Sequence, residues 1–249
     1  MGFSFERVNA ADYDELRPTY AEEAARWVAE RGRLGSGALV VDLAAGTGQL
    51  ARRFVPLGVD VVAVEPAVNM RAVLQANLPT VTVAVGTAER IPMRDGVAHA
   101  VVVGNAFHHF DAAAAFVEIR RVLRPGGALA LFWARSGEDG DDLYPAVREI
   151  DALVERERAS SPIVEAYRSW FEPPERVDGY TPFERRSFET THAIASARLA
   201  DLYATSSDIA SLPERTRAAL LARIRELAAR LPQTLELPER TDVQLCVRT

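Results

Sequence analysis

From Val40 to Trp133, apolar runs of strand length alternate with stretches of helical period. Leu39-Val40-Val41 leads into a Gly-rich turn over Ala45 to Gly48. Val59 to Val64, Val81 to Val85, Ala98 to Val103 and Ala128 to Trp133 follow as further apolar runs. Runs this continuous predict strands buried on both faces, which is the pattern of a parallel sheet. Between them Gln49 to Leu57, Val68 to Asn77 and Ala112 to Leu123 read as helices. Arg124-Pro125-Gly126-Gly127 stops the last of these. Such alternation predicts a doubly wound α/β sheet with helices on both faces. Ahead of it, Asp12 to Arg33 reads as two helical pieces broken at Pro18. Behind it come an acidic linker at Ser136 to Asp142, a helix over Leu143 to Ala159 and an irregular, Pro-rich stretch over Ser160 to Pro182. A strand over Phe183 to Ala193, helices over Ser196 to Tyr203 and Glu214 to Leu231, and a strand over Val243 to Arg248 complete the chain.

Composition narrows the chemistry. At 249 residues and 48% hydrophobic, one α/β domain with a small lid has enough apolar side chain for its own core. The single cysteine, Cys246, excludes an internal disulfide and a Cys-rich zinc site, and a reducing, cytoplasmic setting is the expectation. All 29 basic residues are Arg, so Schiff-base chemistry, pyridoxal attachment and a P-loop lysine are excluded. A net charge of −6 without a basic patch argues against nucleic acid and anionic membranes as partners. No uncharged apolar run reaches the roughly 18 residues of a membrane span, and Met1 to Val8 does not read as a signal peptide. A homodimer is compatible with this composition.

The strongest local signal is Val40-Val41-Asp42-Leu43-Ala44-Ala45-Gly46-Thr47-Gly48-Gln49-Leu50. A strand ends at Asp42, small residues turn the chain, and a helix start leaves backbone amides free beside glycines that admit a ligand. Glu65 closes the next apolar run, 19 residues after Gly46, where a carboxylate accepts hydrogen bonds from ribose hydroxyls. These features point to a ribosyl cofactor without choosing between NAD and S-adenosylmethionine. The choice comes from a resemblance. Asp42-x-Ala44-x-Gly46-x-Gly48 resembles the first motif of class I S-adenosylmethionine-dependent methyltransferases. Glu65-Pro66-x-x-x-Met70 resembles their second, and Gly86-Thr87-Ala88-Glu89-x-Ile91-Pro92 their third. Gly104-Asn105-Ala106-Phe107-His108-His109-Phe110 stands at the end of the fourth strand, and Arg121 to Gly127 precedes the fifth. Tyr13-Asp14-x-x-Arg17-Pro18-x-Tyr20, Thr205-Ser206-Ser207 and Leu212-Pro213-Glu214-Arg215 are similar to the UbiE/trans-aconitate (type 11) branch.

That resemblance implies a Rossmann-like, mostly parallel seven-stranded sheet with a helical lid from the N-terminus and the C-terminal half. It divides the chain into cofactor-covering helices (1–35), the S-adenosylmethionine-binding core (36–135), a variable substrate region (136–182) and a sheet-completing segment with a lid insertion (183–249). It implies cofactor contacts at Tyr13, Arg17, Asp42, Ala44, Gly46, Thr47, Gly48, Glu65, Pro66, Met70, Ala88, Glu89, Asn105 and His109. Met70 would pack on the adenine face and Ala88 and Glu89 would meet its edge. Tyr20, Trp133, Tyr167 and Trp170 would face a small organic acceptor, methylated on O or C, with secondary metabolism as the expected setting. His108 is the candidate general base or methionine-side contact. Plainer readings stand beside these. Asp42 caps a turn, Met70 is core, His109 bonds the loop, and the aromatic stretch from Tyr167 to Phe183 forms a satellite core. A non-catalytic binder of the cofactor and an NAD-dependent oxidoreductase are the alternative functions, although the Tyr-x-x-x-Lys pair of some oxidoreductases has no lysine to draw on.

Overall fold

A computed structural model describes residues 5, 8–136, 144–159, 162–170 and 176–249. Two short N-terminal helices, α1 (Ala10–Leu16) and α2 (Glu22–Arg31), precede the sheet, split at the Arg17-Pro18 step as the proline requires. The alternating core then runs β1 (Leu39–Leu43), α3 (Ala51–Phe54), β2 (Asp60–Val64), α4 (Val68–Asn77), β3 (Thr82–Ala84), β4 (Ala98–Gly104), α5 (Ala112–Val122) and β5 (Leu123–Ser136). The C-terminal part adds α6 (Pro145–Arg158), α7 (Pro162–Ser169), β6 (Glu184–Ala195), α8 (Leu199–Ala204), α9 (Ser207–Ala210), α10 (Glu214–Ala228) and β7 (Thr234–Val247).

The seven strands form one sheet in the order β3-β2-β1-β4-β5-β7-β6. The first five pair in parallel and β7 runs antiparallel between β5 and β6. The strand order reverses at β1, which lies between β2 and β4, so the carboxyl ends of these parallel strands open onto a common crevice where such sheets hold ligands. Both faces are covered. Val40, Ala100, Ala130 and Phe132 pack under Trp27, Phe54 and Leu74, while Val41, Val101, Leu129 and Trp133 pack under Phe107, Phe116 and Ile119. A third apolar cluster joins α6, α8 and α10 to the ends of β6 and β7 through Ile150, Ile194, Leu199, Ile224 and Leu235. It makes the lid a packed body.

β5 begins at Leu123 rather than Ala128, α9 was not expected, and three further elements differ from the sequence reading. The helix expected over Gln49 to Leu57 is α3 followed by a 3-10 turn at Val55–Leu57, because Pro56 removes the amide a longer helix would need. The Pro-rich stretch contains α7. The last strand begins at Thr234 rather than Val243, with Leu235 and Leu237 inward on a period of two. Pro238 concealed it. Among the described residues β5 pairs with β7 as far as Ser136 opposite Glu239, and Pro238 stands opposite Thr191 of β6. The acidic linker beyond Ser136, and Phe171, lie outside the described residues. Among the described residues no helix is long and apolar enough to cross a membrane, and no His/Cys/Asp/Glu group is arranged to hold a metal.

Candidate active site

The turn after β1 is built from left-handed residues: Ala44 (φ 56°), Gly46 (φ 55°) and Gly48 (φ 86°). Ala44 sits there at a cost of about 1–2 kcal/mol that a glycine would avoid, a strain of the kind concentrated at functional loops. Space above Gly46 is open, with nothing within 4 Å of where a Cβ would stand. Glu65, buried at the end of β2, pins this loop. One carboxylate oxygen accepts from the Gly46 amide at 2.8 Å and the other from the Ala67 amide at 2.8 Å. Burial pushes the Glu65 pKa up, against the two amides and the Arg71 charge. Arg71 also donates to the Glu65 and Pro66 carbonyls.

Asp42 is 1% exposed and accepts from the Ala51 amide at 2.9 Å through Oδ2, so it does cap α3. Its other oxygen, Oδ1, is buried without a hydrogen-bond partner among the described residues, as is Thr47 Oγ1. Desolvation pushes the Asp42 pKa up to about 7. Buried polar atoms left unsatisfied around an open glycine turn are the features a ligand would complete.

Over this loop lies the N-terminal segment. Tyr13 packs with Phe5, Val73 and buried Met70, and Asn69 donates to the Phe5 and Val8 carbonyls at 3.1 and 3.0 Å, tying the segment to α4. Arg17 lies over the Tyr13 ring, with its guanidinium carbon 5.4 Å from the centroid. It donates to Thr205 Oγ1 and Ser206 Oγ, both at 2.8 Å. The N-terminal and C-terminal signatures of the sequence are thus two halves of one contact.

The third wall is the turn after β4. Asn105 adopts φ 47° and its side chain pins Ala134, accepting from the amide at 3.0 Å. The 3-10 turn Phe107–His109 then brings the two imidazoles to 3.9 Å between centroids. His108 stands 5.9 Å from the Trp133 ring, and His109 meets Phe5 edge-on at 5.6 Å. Burial pushes the His108 pKa down to about 3, with the neighbouring His109 adding to the fall. Burial takes His109 to about 4, opposed by the Asp208 carboxylate of the lid. Both rings are neutral at physiological pH.

Residues 41–131 match the methyltransferase domain family. An uncharacterized methyltransferase of Mycobacterium tuberculosis is 37% identical over 217 residues, 87% of this chain and 82% of that one. This chain belongs to the class I S-adenosylmethionine-dependent methyltransferases. A ubiquinone/menaquinone biosynthesis C-methyltransferase, UbiE, of Caulobacter vibrioides is 32% identical over 141 residues, covering 49% of this chain and 56% of its own. A solved structure from Anaeromyxobacter dehalogenans, described as a type II methyltransferase, has a TM-score of 0.60 at 23% identity and covers 94% of this chain and 97% of its own. That last likeness is one of fold.

Within the methyltransferase fold, Tyr13, Asp42, Ala44, Gly46, Thr47, Gly48, Glu65, Pro66 and Met70 gather around the first two strand ends. Ala88 is buried in the β4-side core, and exposed Glu89 accepts from the Asp111 amide at 3.1 Å, which ties it to the start of α5. The residues expected on the acceptor side are dispersed. Tyr20 is buried against Phe132, its hydroxyl standing over Gly104. Trp133 is 1% exposed. Trp170 packs on Phe107 at 4.5 Å, against the core on the β4 and β5 face rather than in a separate satellite core. The Tyr167 side chain lies outside the described residues. Asn69, Asp208 and the Thr205–Ser206 partners of Arg17 were not foreseen as site residues. Asn69 hid among the unspecified positions of the second motif, and no local pattern marks Asp208.

Proposed function

We propose that the chain binds S-adenosylmethionine over the Gly46 turn and methylates a small organic acceptor on an oxygen or carbon. The observation that carries this reading is the junction of Glu65 with the Gly46 amide, beside open space and beneath the Arg17-latched N-terminal segment. The residues fit the cofactor. Glu65 would take the ribose hydroxyls, Asp42 and Thr47 would offer their unpaired oxygens, and Met70 and Ala88 would flank the adenine. When bound, the cofactor supplies a sulfonium methyl, whose transfer breaks the S–C bond, forms the new bond to the acceptor and releases the thioether product and, from a protic acceptor, a proton. The chain supplies alignment, and its buried walls exclude water.

In this reading His108 would receive that proton, although burial lowers its pKa to about 3 and weakens it as a base. The test is calorimetric titration with S-adenosylhomocysteine, S-adenosylmethionine and NAD, followed by an acceptor screen read by S-adenosylhomocysteine formation. Binding of the first two without NAD supports the cofactor assignment; binding of NAD alone overturns it.

A further inference from the structure

The sheet face that packs under Phe107, Phe116 and Ile119 is apolar through Leu129, Leu131 and Trp133 of β5 and Cys246 of β7. Gln244 of β7 interrupts that run. It stands opposite Leu131 in the ladder and is 3% exposed. A primary amide buried among aliphatic side chains costs free energy unless its ends are hydrogen-bonded. Here both ends are engaged: Trp133 Nε1 donates to Gln244 Oε1 at 3.3 Å, and Gln244 Nε2 donates to the Trp170 carbonyl at 2.9 Å. These partners fix which way round the amide sits, because an indole N–H can only donate and a backbone carbonyl can only accept. Each tryptophan in turn meets one residue of the 3-10 turn after β4. Trp170 lies 4.5 Å from the Phe107 ring and 6.0 Å from Phe116, and Trp133 lies 5.9 Å from His108. Phe107 and His108 are consecutive in that turn. The turn is thus held between two indoles, and the side chain that joins them lies 111 positions from Trp133 and 74 from Trp170.

We infer that Gln244 is a positioning residue for methyl transfer: by fixing the Trp133 indole against the Trp170 backbone, it holds the Phe107–His109 turn where His108 meets the acceptor. It acts through the two tryptophans and not by contact with the reacting atoms. Trp170 ends α7, so the same amide also seats that helix against the sheet. Without it the two indoles lose their common anchor and the turn between them shifts. A displacement of about 1 Å at a reacting group can cost on the order of 100-fold in rate. The turn's role toward the acceptor rests on the methyl-transfer reading; the hold of Gln244 on the turn does not.

Gln244→Met keeps the length of the side chain and removes both hydrogen bonds. The test compares it with the wild type by nuclear magnetic resonance of the full chain, labelled isotopically at its four histidines and three tryptophans. The ring signals of His108 and His109 and the indole N–H of Trp133 should move. Those of His99, which accepts from the Leu39 amide near the start of β4, and of His192 on β6 should stay in place. S-adenosylhomocysteine affinity should be unchanged, while kcat toward an acceptor found by the screen should fall about tenfold or more. Melting temperature is not the readout, because losing any buried amide lowers it. Histidine signals that stay in place in the folded variant, or a kcat that does not fall, overturn the inference. Should Gln244→Met fail to fold, the wild type decides: nuclear Overhauser contacts should join the Trp133 indole N–H to the Gln244 side chain and the Trp133 ring to His108, and their absence overturns the inference. Shifted histidines in a chain that ignores S-adenosylhomocysteine would keep the hold on the turn and sink the methyl-transfer reading; methyl transfer with unmoved histidines would do the opposite.

Discussion

Glu65 spends both carboxylate oxygens on backbone amides, so its replacement separates charge from scaffold. Glu65→Gln keeps one accepting oxygen and loses the charge. Hydrogen bonds to a charged group are worth about 1.5–3 kcal/mol, so S-adenosylhomocysteine affinity should fall about 10–100-fold by calorimetry. An unchanged affinity would remove Glu65 from the cofactor set. The two glycines beside it should respond differently from each other. A Cβ on Gly48, already at φ 86°, would stand 2.9 Å from Leu78 Cδ1 and 3.0 Å from Leu74 Cγ, whereas one on Gly46 meets open space. Gly48→Ala should therefore cost about 2–3 kcal/mol of stability in chemical denaturation, and Gly46→Ala about 1 kcal/mol from backbone strain alone. Equal losses would mean that the packing of Leu74 and Leu78 against the turn is not what fixes it. Residues at this scale were legible in the sequence because turn and carboxylate share a short span. Arg17 and the Thr205-Ser206-Ser207 segment were both marked in the sequence, but their pairing was not legible, since Thr205 lies 188 positions away.

At the scale of elements, the parallel core could be read because strands buried on both faces leave continuous apolar runs, as Val61 to Val64 and Ala100 to Val103 do. The lid was harder. Its helices bury narrow stripes, Val147, Ile150 and Val154 on α6, and α7 lies in a Pro-rich stretch, so neither faces nor partners are evident before the packing is seen. The latch between α1 and the α8–α9 turn depends on one fork-shaped side chain that reaches two hydroxyls. Arg198 reinforces it through Asp12 and Glu15 of α1, a pair of contacts on the surface that contributes less. Arg17→Ala should speed amide exchange over Leu199 to Ala210 while leaving β1 and β4 unchanged. Arg17→Lys should not restore protection, because an ammonium on a flexible stem lacks the planar fork. Equal exchange in all three proteins would show that apolar packing alone seats the lid.

For the molecule as a whole, the buried histidines tie stability to pH. His108 and His109, held near 3 and 4, stay neutral in the folded chain, while in the unfolded chain they take up protons below about 6.5. The unfolded state binds more protons in that window, so stability falls as the pH drops from about 6.5 toward 4. Asp42 acts with the opposite sign. Its carboxyl, near 7 when folded and 3.8 when free, is protonated first in the folded chain and adds stability as the pH falls through 7. Glu65, also raised by burial, acts with Asp42, so the two carboxyls offset part of what the histidines lose in acid. Both rings also lie where the N-terminal segment, the β4 turn and the lid meet, with Phe5 on His109 and Asp208 nearby, so a proton gained there loosens the junction of the three. His109→Gln removes one of these groups while keeping a polar side chain of similar reach. Its melting temperature should fall less than that of the wild type between pH 6.5 and 4.5, and the two proteins should differ by a constant amount above pH 7. Parallel curves across the acid range would mean that His109 is not held neutral in solution, and the closed arrangement of strap, turn and lid would have to be abandoned with it.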